Sequence, residues 1–119
     1  MQQAAVSTSY SAGVLSVRLT GEIDHHSAAS VRETIDRDLY TYAPRTIKLM
    51  LGGVEFMDSS GIGLILGRYT RLKEREAVLL IEDPTPQVER ILVMAGIDRL
   101  IRIVRTNGAP DRKKGVRKS

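Results

Sequence analysis

The sequence contains no cysteine among its 119 residues. This absence excludes disulfide bonds, a cysteine nucleophile and Cys-ligated zinc, and it agrees with a reducing compartment. No apolar run approaches the roughly 18 to 20 residues of a membrane-spanning helix. The first residues include Gln2, Gln3 and Ser7 and lack the basic-then-apolar pattern of a signal peptide. We therefore expect a soluble, cytoplasmic protein.

Net positive charge is absent from most of the chain and is concentrated at its C-terminal end. The formal net charge is +4, and residues 106–119 hold five cations and one anion, whereas the other residues hold 13 of each. The segment has glycine and proline and few apolar residues, a composition typical of disordered tails. We predict one globular domain over residues 3–105 and a basic, disordered tail over residues 106–119.

Strand patterns alternate with helix patterns along the predicted domain. Residues 4–20 alternate as in a hairpin with a turn at Ser11-Ala12-Gly13, and the later strands are separated by amphipathic helices. Such alternation predicts an α/β domain with a mainly parallel sheet, right-handed crossovers and an antiparallel N-terminal edge. The predicted later elements are a helix capped by Ser27 and ended by Pro44, a strand over 46–51, a turn at Gly52-Gly53, a helix over 60–75 with Arg68 on its solvent side, a strand over 77–81, a helix opened by Thr85-Pro86 and ended by Gly96, and a strand over 100–104.

The most distinctive stretch is Met57-Asp58-Ser59-Ser60-Gly61-Ile62-Gly63, where a strand should pass into a helix. It lacks the G-x-S-x-G pattern of a hydrolase nucleophile. It also lacks the lysine of a P-loop, and Leu66 stands where a dinucleotide fingerprint needs its third glycine. A serine nucleophile and a bound nucleotide are therefore both disfavoured, and we expect no catalytic residue and no cofactor in the chain.

Two uses of the serines remain open from the residues alone. Asp58, Ser59 and Ser60 can cap the following helix, a role worth roughly 0.5 to 2 kcal/mol. A phosphate on either serine would also be favoured there, because it would meet free backbone N–H groups and the positive end of the helix dipole. Capping does not choose between the two serines.

A second polar segment, Glu22 to His26, follows an earlier strand. Adjacent histidines point apart in an extended chain and zinc sites use wider spacings, so His25-His26 with Asp24 and Glu22 is disfavoured as a metal site. We interpret the segment as an exposed loop at the same end of the sheet as the serines, where open α/β sheets place binding surfaces.

Three stretches together resemble the STAS-domain anti-sigma factor antagonists, and within them the sporulation branch that acts on the anti-sigma F factor. They are residues 19–26, residues 56–69 with an intact D-S-[ST]-G motif, and residues 94–102. The resemblance covers roughly residues 4–105 and does not extend to the basic tail. It implies a single STAS domain.

The resemblance implies a partner switch regulated by phosphorylation. The dephosphorylated protein would bind a dimeric anti-sigma factor that is also a serine kinase, and would thereby release the sigma factor. The kinase, using ATP and Mg²⁺ on its own side, would phosphorylate Ser59, and a serine phosphatase would reverse this. The free protein is expected to be a monomer with no direct contact to nucleic acid or membrane. The implied partner-binding residues are Glu22, Asp24, His25, His26, Asp58, Ser59, Ser60, Gly61 and Ile62.

The alternative is a STAS adaptor that is not phosphorylated, for example a subunit of a lipid transporter ATPase, because one fold supports several functions. A nucleotide-hydrolysing protein is a third class, and it predicts turnover by the isolated chain.

Overall fold

In the part of the chain that the structure describes, five strands form one sheet whose spatial order is the order of the chain. The computed structural model describes residues 3–106. The first two strands form an antiparallel hairpin, and each later strand is parallel to its neighbour, so the predicted α/β class and antiparallel edge are confirmed. The strands are β1 (Ala5–Ser11), β2 (Val14–Ile23), β3 (Thr46–Met57), β4 (Val78–Glu82) and β5 (Arg102–Val104).

Three helices make the crossovers between the parallel strands. Thr85 caps the third helix by accepting a hydrogen bond from the Val88 N–H at 3.2 Å, and Pro86 occupies the first turn, as predicted. The helices are α1 (His25–Tyr42), α2 (Ser59–Glu74) and α3 (Pro86–Met94), and a 3₁₀ turn (Ile97–Arg99) precedes β5. Among residues 3–106, none of these helices combines the length and the apolar character needed to cross a membrane.

The core lies between the helices and one face of the sheet. On β2, every second side chain is fully buried, at Leu15, Val17 and Leu19, and these pack in one cluster with the apolar side chains of all three helices. Neighbours of these residues on the other face, such as Ser16 and Lys48, are only half-buried and lie outside that cluster. Crossovers of one hand that move in one direction across a sheet place their helices on the same face, which agrees with the single cluster that the three helices share.

The predicted turn at Gly52-Gly53 is wrong, because β3 continues through both glycines. The pairing with β2 shifts there: Arg18 pairs with Met50, but Thr20 pairs with Gly53, so β3 contains one extra residue. A β-bulge of this kind uses glycine where backbones approach closely. A Cβ at Gly53 would lie 2.7 Å from Thr20 Cγ2, so a larger residue here would require one of the two strands or the Thr20 side chain to shift.

For most of the other strands and helices, the observed ends lie within one or two residues of the predicted ends. Thr106 is attached to the domain, because its N–H donates a hydrogen bond to Asp83 Oδ1 at 2.8 Å. The rest of the predicted tail, residues 107–119, lies outside the described residues, so that prediction stays a prediction.

Candidate functional site

Two helix N-termini lie side by side at the carboxyl end of the sheet. Ile23 and Met57 are register partners at the ends of parallel strands, and the Asp58 N–H donates a hydrogen bond to the Ile23 carbonyl at 3.2 Å. The next residues, Asp24 and Asp58, are the N-caps of α1 and α2. The structure thus brings together the two polar segments that the sequence singled out.

Asp24 caps α1, so the prediction that Ser27 does so is wrong. Asp24 Oδ1 accepts hydrogen bonds from the His26 and Ser27 N–H groups at 2.9 and 3.0 Å, while the Asp24 N–H donates to Ser27 Oγ at 3.0 Å. This is a reciprocal capping box with serine at the third helical position. The hydrogen bond from the Ser27 N–H is the main cause that lowers the pKa of Asp24 below 3.8.

His25 and His26 lie in the first turn of α1, and the predicted exposed loop is therefore wrong in its conformation. Both side chains are exposed, and their rings meet edge to face with centroids 5.7 Å apart. Glu22 lies at the end of β2 and is half-exposed. Residues 3–106 contain no group of three His, Cys, Asp or Glu side chains that could hold a metal ion.

Asp58 caps α2 and leaves the two serines in different positions. Its Oδ1 accepts a hydrogen bond from the Ser60 N–H at 2.7 Å, a short distance typical of a charge-assisted bond. Ser59 is the first helical residue and is exposed, whereas Ser60 is half-buried. The hydroxyl that a second protein can reach most easily is therefore that of Ser59.

Gly61 fixes the start of α2 against the sheet. It is buried, and a Cβ there would collide with Met57 Cγ and lie 3.2 Å from Ile23 Cγ2. Its contribution to a partner surface is therefore indirect: it allows α2 to begin directly above the paired strand ends. Ile62, the next residue, is half-buried against the core.

A groove of about 500 Å³ runs between α1 and α2 from these N-termini. Arg68 lies in its wall and is buried, so its predicted place on the solvent side of α2 is wrong. The sequence did contain the relevant signal, because Arg68 follows Leu64 and precedes Leu72 by four residues each and so shares their buried face. The groove is lined by His25, Ala28, Ala29, Arg32, Ser60, Gly63, Leu64 and Arg68.

Chemically, this edge of the sheet offers an exposed hydroxyl and a helix N-terminus. The backbone N–H groups of the first turn and the helix dipole favour negative charge there. Asp58 already supplies one such charge and satisfies the Ser60 N–H. The edge can therefore accept a covalent phosphate on Ser59 without any change in the core.

Comparison with known proteins gives a consistent result. The sequence profile of the STAS domain matches residues 5–109. The anti-sigma F factor antagonist of Paenibacillus polymyxa is 41% identical over 91 residues, which cover 76% of this chain and 78% of that protein.

Two solved structures that carry the name SpoIIAA are similar in fold. The anti-sigma factor antagonist SpoIIAA in its unphosphorylated form superposes with a TM-score of 0.76 at 28% identity, covering 87% of this chain and 90% of that one. The phosphorylated form of the Bacillus cell fate determinant SpoIIAA gives a TM-score of 0.70 at 27% identity, covering 87% and 93%.

Proposed function

This chain belongs to the STAS domain family, and on that premise we propose that it is an anti-sigma factor antagonist controlled by phosphorylation of Ser59. In the dephosphorylated state it binds an anti-sigma factor that is also a serine kinase, and this binding releases the sigma factor. The kinase then phosphorylates Ser59 and ends the complex, and a serine phosphatase restores the binding state. The protein is a kinase substrate and not itself an enzyme.

The observation that carries the proposal is the exposure of Ser59 directly after the N-cap Asp58, beside the second N-terminus at Asp24. A kinase can reach this hydroxyl without unfolding the helix. Antagonism of an anti-sigma factor is supported by similarity to relatives of that name over most of both chains. Phosphorylation is supported by a similar protein whose structure exists in a phosphorylated form.

The physical basis of the switch is charge at the docking surface. A phosphate adds about −1.5 to −2 charges at neutral pH. Beside the carboxylates of Asp58 and Asp24, this phosphate makes the surface strongly anionic. A partner that packs closely against the first turn of α2 is then repelled, while the core beneath Gly61 stays unchanged. We propose that the anti-sigma factor bound by this protein is the one that controls sigma F during sporulation. The protein acts in the cytoplasm.

The site assignment is tested by incubation with the cognate kinase and ATP, followed by mass spectrometry. We expect one phosphate, located on Ser59, and none on the Ser59→Ala protein. Phosphate found only on Ser60 would refute the residue assignment.

The switch is tested by measuring affinity for the kinase. Ser59→Ala should bind persistently in the presence of ATP, and Ser59→Asp should bind weakly. Ser11→Asp is the matched control, because Ser11 is exposed at the hairpin turn, at the other end of β2 from the site. If Ser59→Asp binds as tightly as Ser11→Asp, charge repulsion is wrong. Co-purification with a transporter ATPase, without binding to such a kinase, would favour the adaptor role instead.

A further inference from the structure

The groove between α1 and α2 has an excess of positive charge. Arg32 on α1 and Arg68 on α2 both line it, and Arg71 is close enough to Arg68 to disfavour its charged form. Asp36 pairs with Arg68, because its Oδ1 lies 3.1 Å from Arg68 Nε. Burial and the two neighbouring cations lower the pKa of Arg68, whereas Asp36 raises it. The charges that act on Arg68 in this groove are therefore two cations and one anion.

Arg68 is the group in this groove that most needs a further partner. The residue is only 8% exposed. The Nη1 atom of Arg68 is buried and has no hydrogen-bond acceptor among residues 3–106. The Nε atom contacts Asp36 Oδ1 as an ion pair, but without the geometry of a hydrogen bond. A guanidinium has five N–H donors, and buried donors are nearly always paired because an unpaired one is costly. Because Arg68 lines the groove, an anion that enters it would meet this guanidinium.

The phosphate of Ser59 does not fill this place. Ser59 and Arg68 are nine residues apart in α2, which corresponds to a rise of about 13 Å and to opposite faces of the helix. An anion that reaches Arg68 in this groove therefore comes from a group other than that phosphate.

We propose that the groove is an anion-binding subsite in which Arg68 and Arg32 receive a carboxylate side chain of the partner docked over Ser59. The groove is continuous with that surface, because Ser60 and His25 line it at its N-terminal end. A side chain of the partner can enter the groove at Gly63, because this residue is exposed and a Cβ added to it would meet no atom within 4 Å. Arginine is suited to this role because its planar fork binds carboxylates in a bidentate manner. The assignment of the anion to the partner rests on the proposed function.

The first test needs no partner. The ¹⁵N-labelled full chain is titrated with inorganic phosphate, with sodium chloride of equal ionic strength as the reference. We expect saturable NMR shifts of the Gly63 amide and of the Arg68 Nε–H, with affinity reduced at least about tenfold in Arg32→Glu. Arg37→Glu is the matched control, because Arg37 is exposed on the same helix and does not line the groove. Absence of saturable shifts at these two positions would overturn the subsite, whatever the function of the protein.

The second test measures the affinity of the same variants for the anti-sigma kinase. Losing a close charge pair at an interface typically weakens binding by about 30-fold or more, and we expect such a loss in Arg32→Glu but less than about threefold in Arg37→Glu. Equal affinity of Arg32→Glu and wild type, or an equal loss in both variants, would overturn the assignment of the anion to the partner. If wild type does not bind the kinase while the phosphate shifts are present, the proposed function fails and the anion site stands.

Discussion

The N–H of Asp58 donates a hydrogen bond to the carbonyl of Ile23 at 3.2 Å, and this bond fixes two helix caps next to each other. Asp24 and Asp58 each follow one of two paired strand ends. Their positions are therefore set by the register of the sheet and not by a loop. A surface built in this way is rigid before a partner binds, which lowers the entropic cost of docking.

Asp58 has two properties, its capping of α2 and its negative charge, and substitutions can separate their effects on stability. Asparagine is about as good an N-cap as aspartate, whereas alanine is a poor one. Asp58→Ala should lower the free energy of unfolding by about 1 kcal/mol, since the Ser60 N–H loses its acceptor. Asp58→Asn should stay within about 0.5 kcal/mol of wild type. Urea unfolding measures both, and an equal loss in the two variants would contradict the capping role.

The capping box at Asp24 predicts a pH dependence of stability. Its pKa is lowered in the folded state, first by the hydrogen bond from the Ser27 N–H. A lowered pKa means that folding favours the carboxylate, so the stabilisation is complete above the ordinary pKa of 3.8 and is lost as the pH falls through the folded-state pKa. The difference in free energy of unfolding between wild type and Asp24→Asn should thus shrink when urea unfolding is repeated from about pH 7 down to about pH 3. A difference that is constant or grows over this range would contradict the assignment.

The sequence predicted those elements whose signals are local. Thr85-Pro86 opens α3 because a cap and a first-turn proline need only their own neighbours. Asp24 and Ser27 could not be distinguished in the same way, because both are good caps and lie three residues apart in a reciprocal box. Which one precedes the helix depends on how far β2 extends, and its pairing with β3 determines that.

Two other features depend on tertiary contacts. Gly52-Gly53 has the composition of a turn, but pairing with β2 carries β3 through it as a bulge. Arginine is usually exposed, so the sequence predicts Arg68 on the solvent side of α2. Its burial depends on α1, which places Asp36 opposite it.

The close approach at Gly61 predicts a sharp contrast with Gly63. Gly61→Ala should lower the free energy of unfolding by about 1 to 3 kcal/mol, because its methyl group would overpack Met57 and Ile23. Gly63→Ala, two residues along the same helix, meets nothing and should raise it by roughly 0.5 to 1 kcal/mol, since alanine favours the helix. Thermal and urea unfolding of both variants provide the measurement. A stabilised Gly61→Ala protein would mean that α2 does not begin on the paired strand ends.

The ion pair between Asp36 and Arg68 predicts unequal effects of removing either partner. Asp36→Ala leaves a buried guanidinium without its anion and should cost about 1 to 3 kcal/mol of unfolding free energy. Arg68→Met leaves the Asp36 carboxylate without its cation, but the Asp36 side chain is 28% exposed and water can solvate it, so this variant should cost less than Asp36→Ala. The double variant should be more stable than the sum of the two single effects predicts. Additive effects in the unfolding cycle would show that the two residues are not coupled. If Arg68→Met is as stable as wild type but binds the anti-sigma kinase more weakly, then the buried charge serves binding and is not needed for folding.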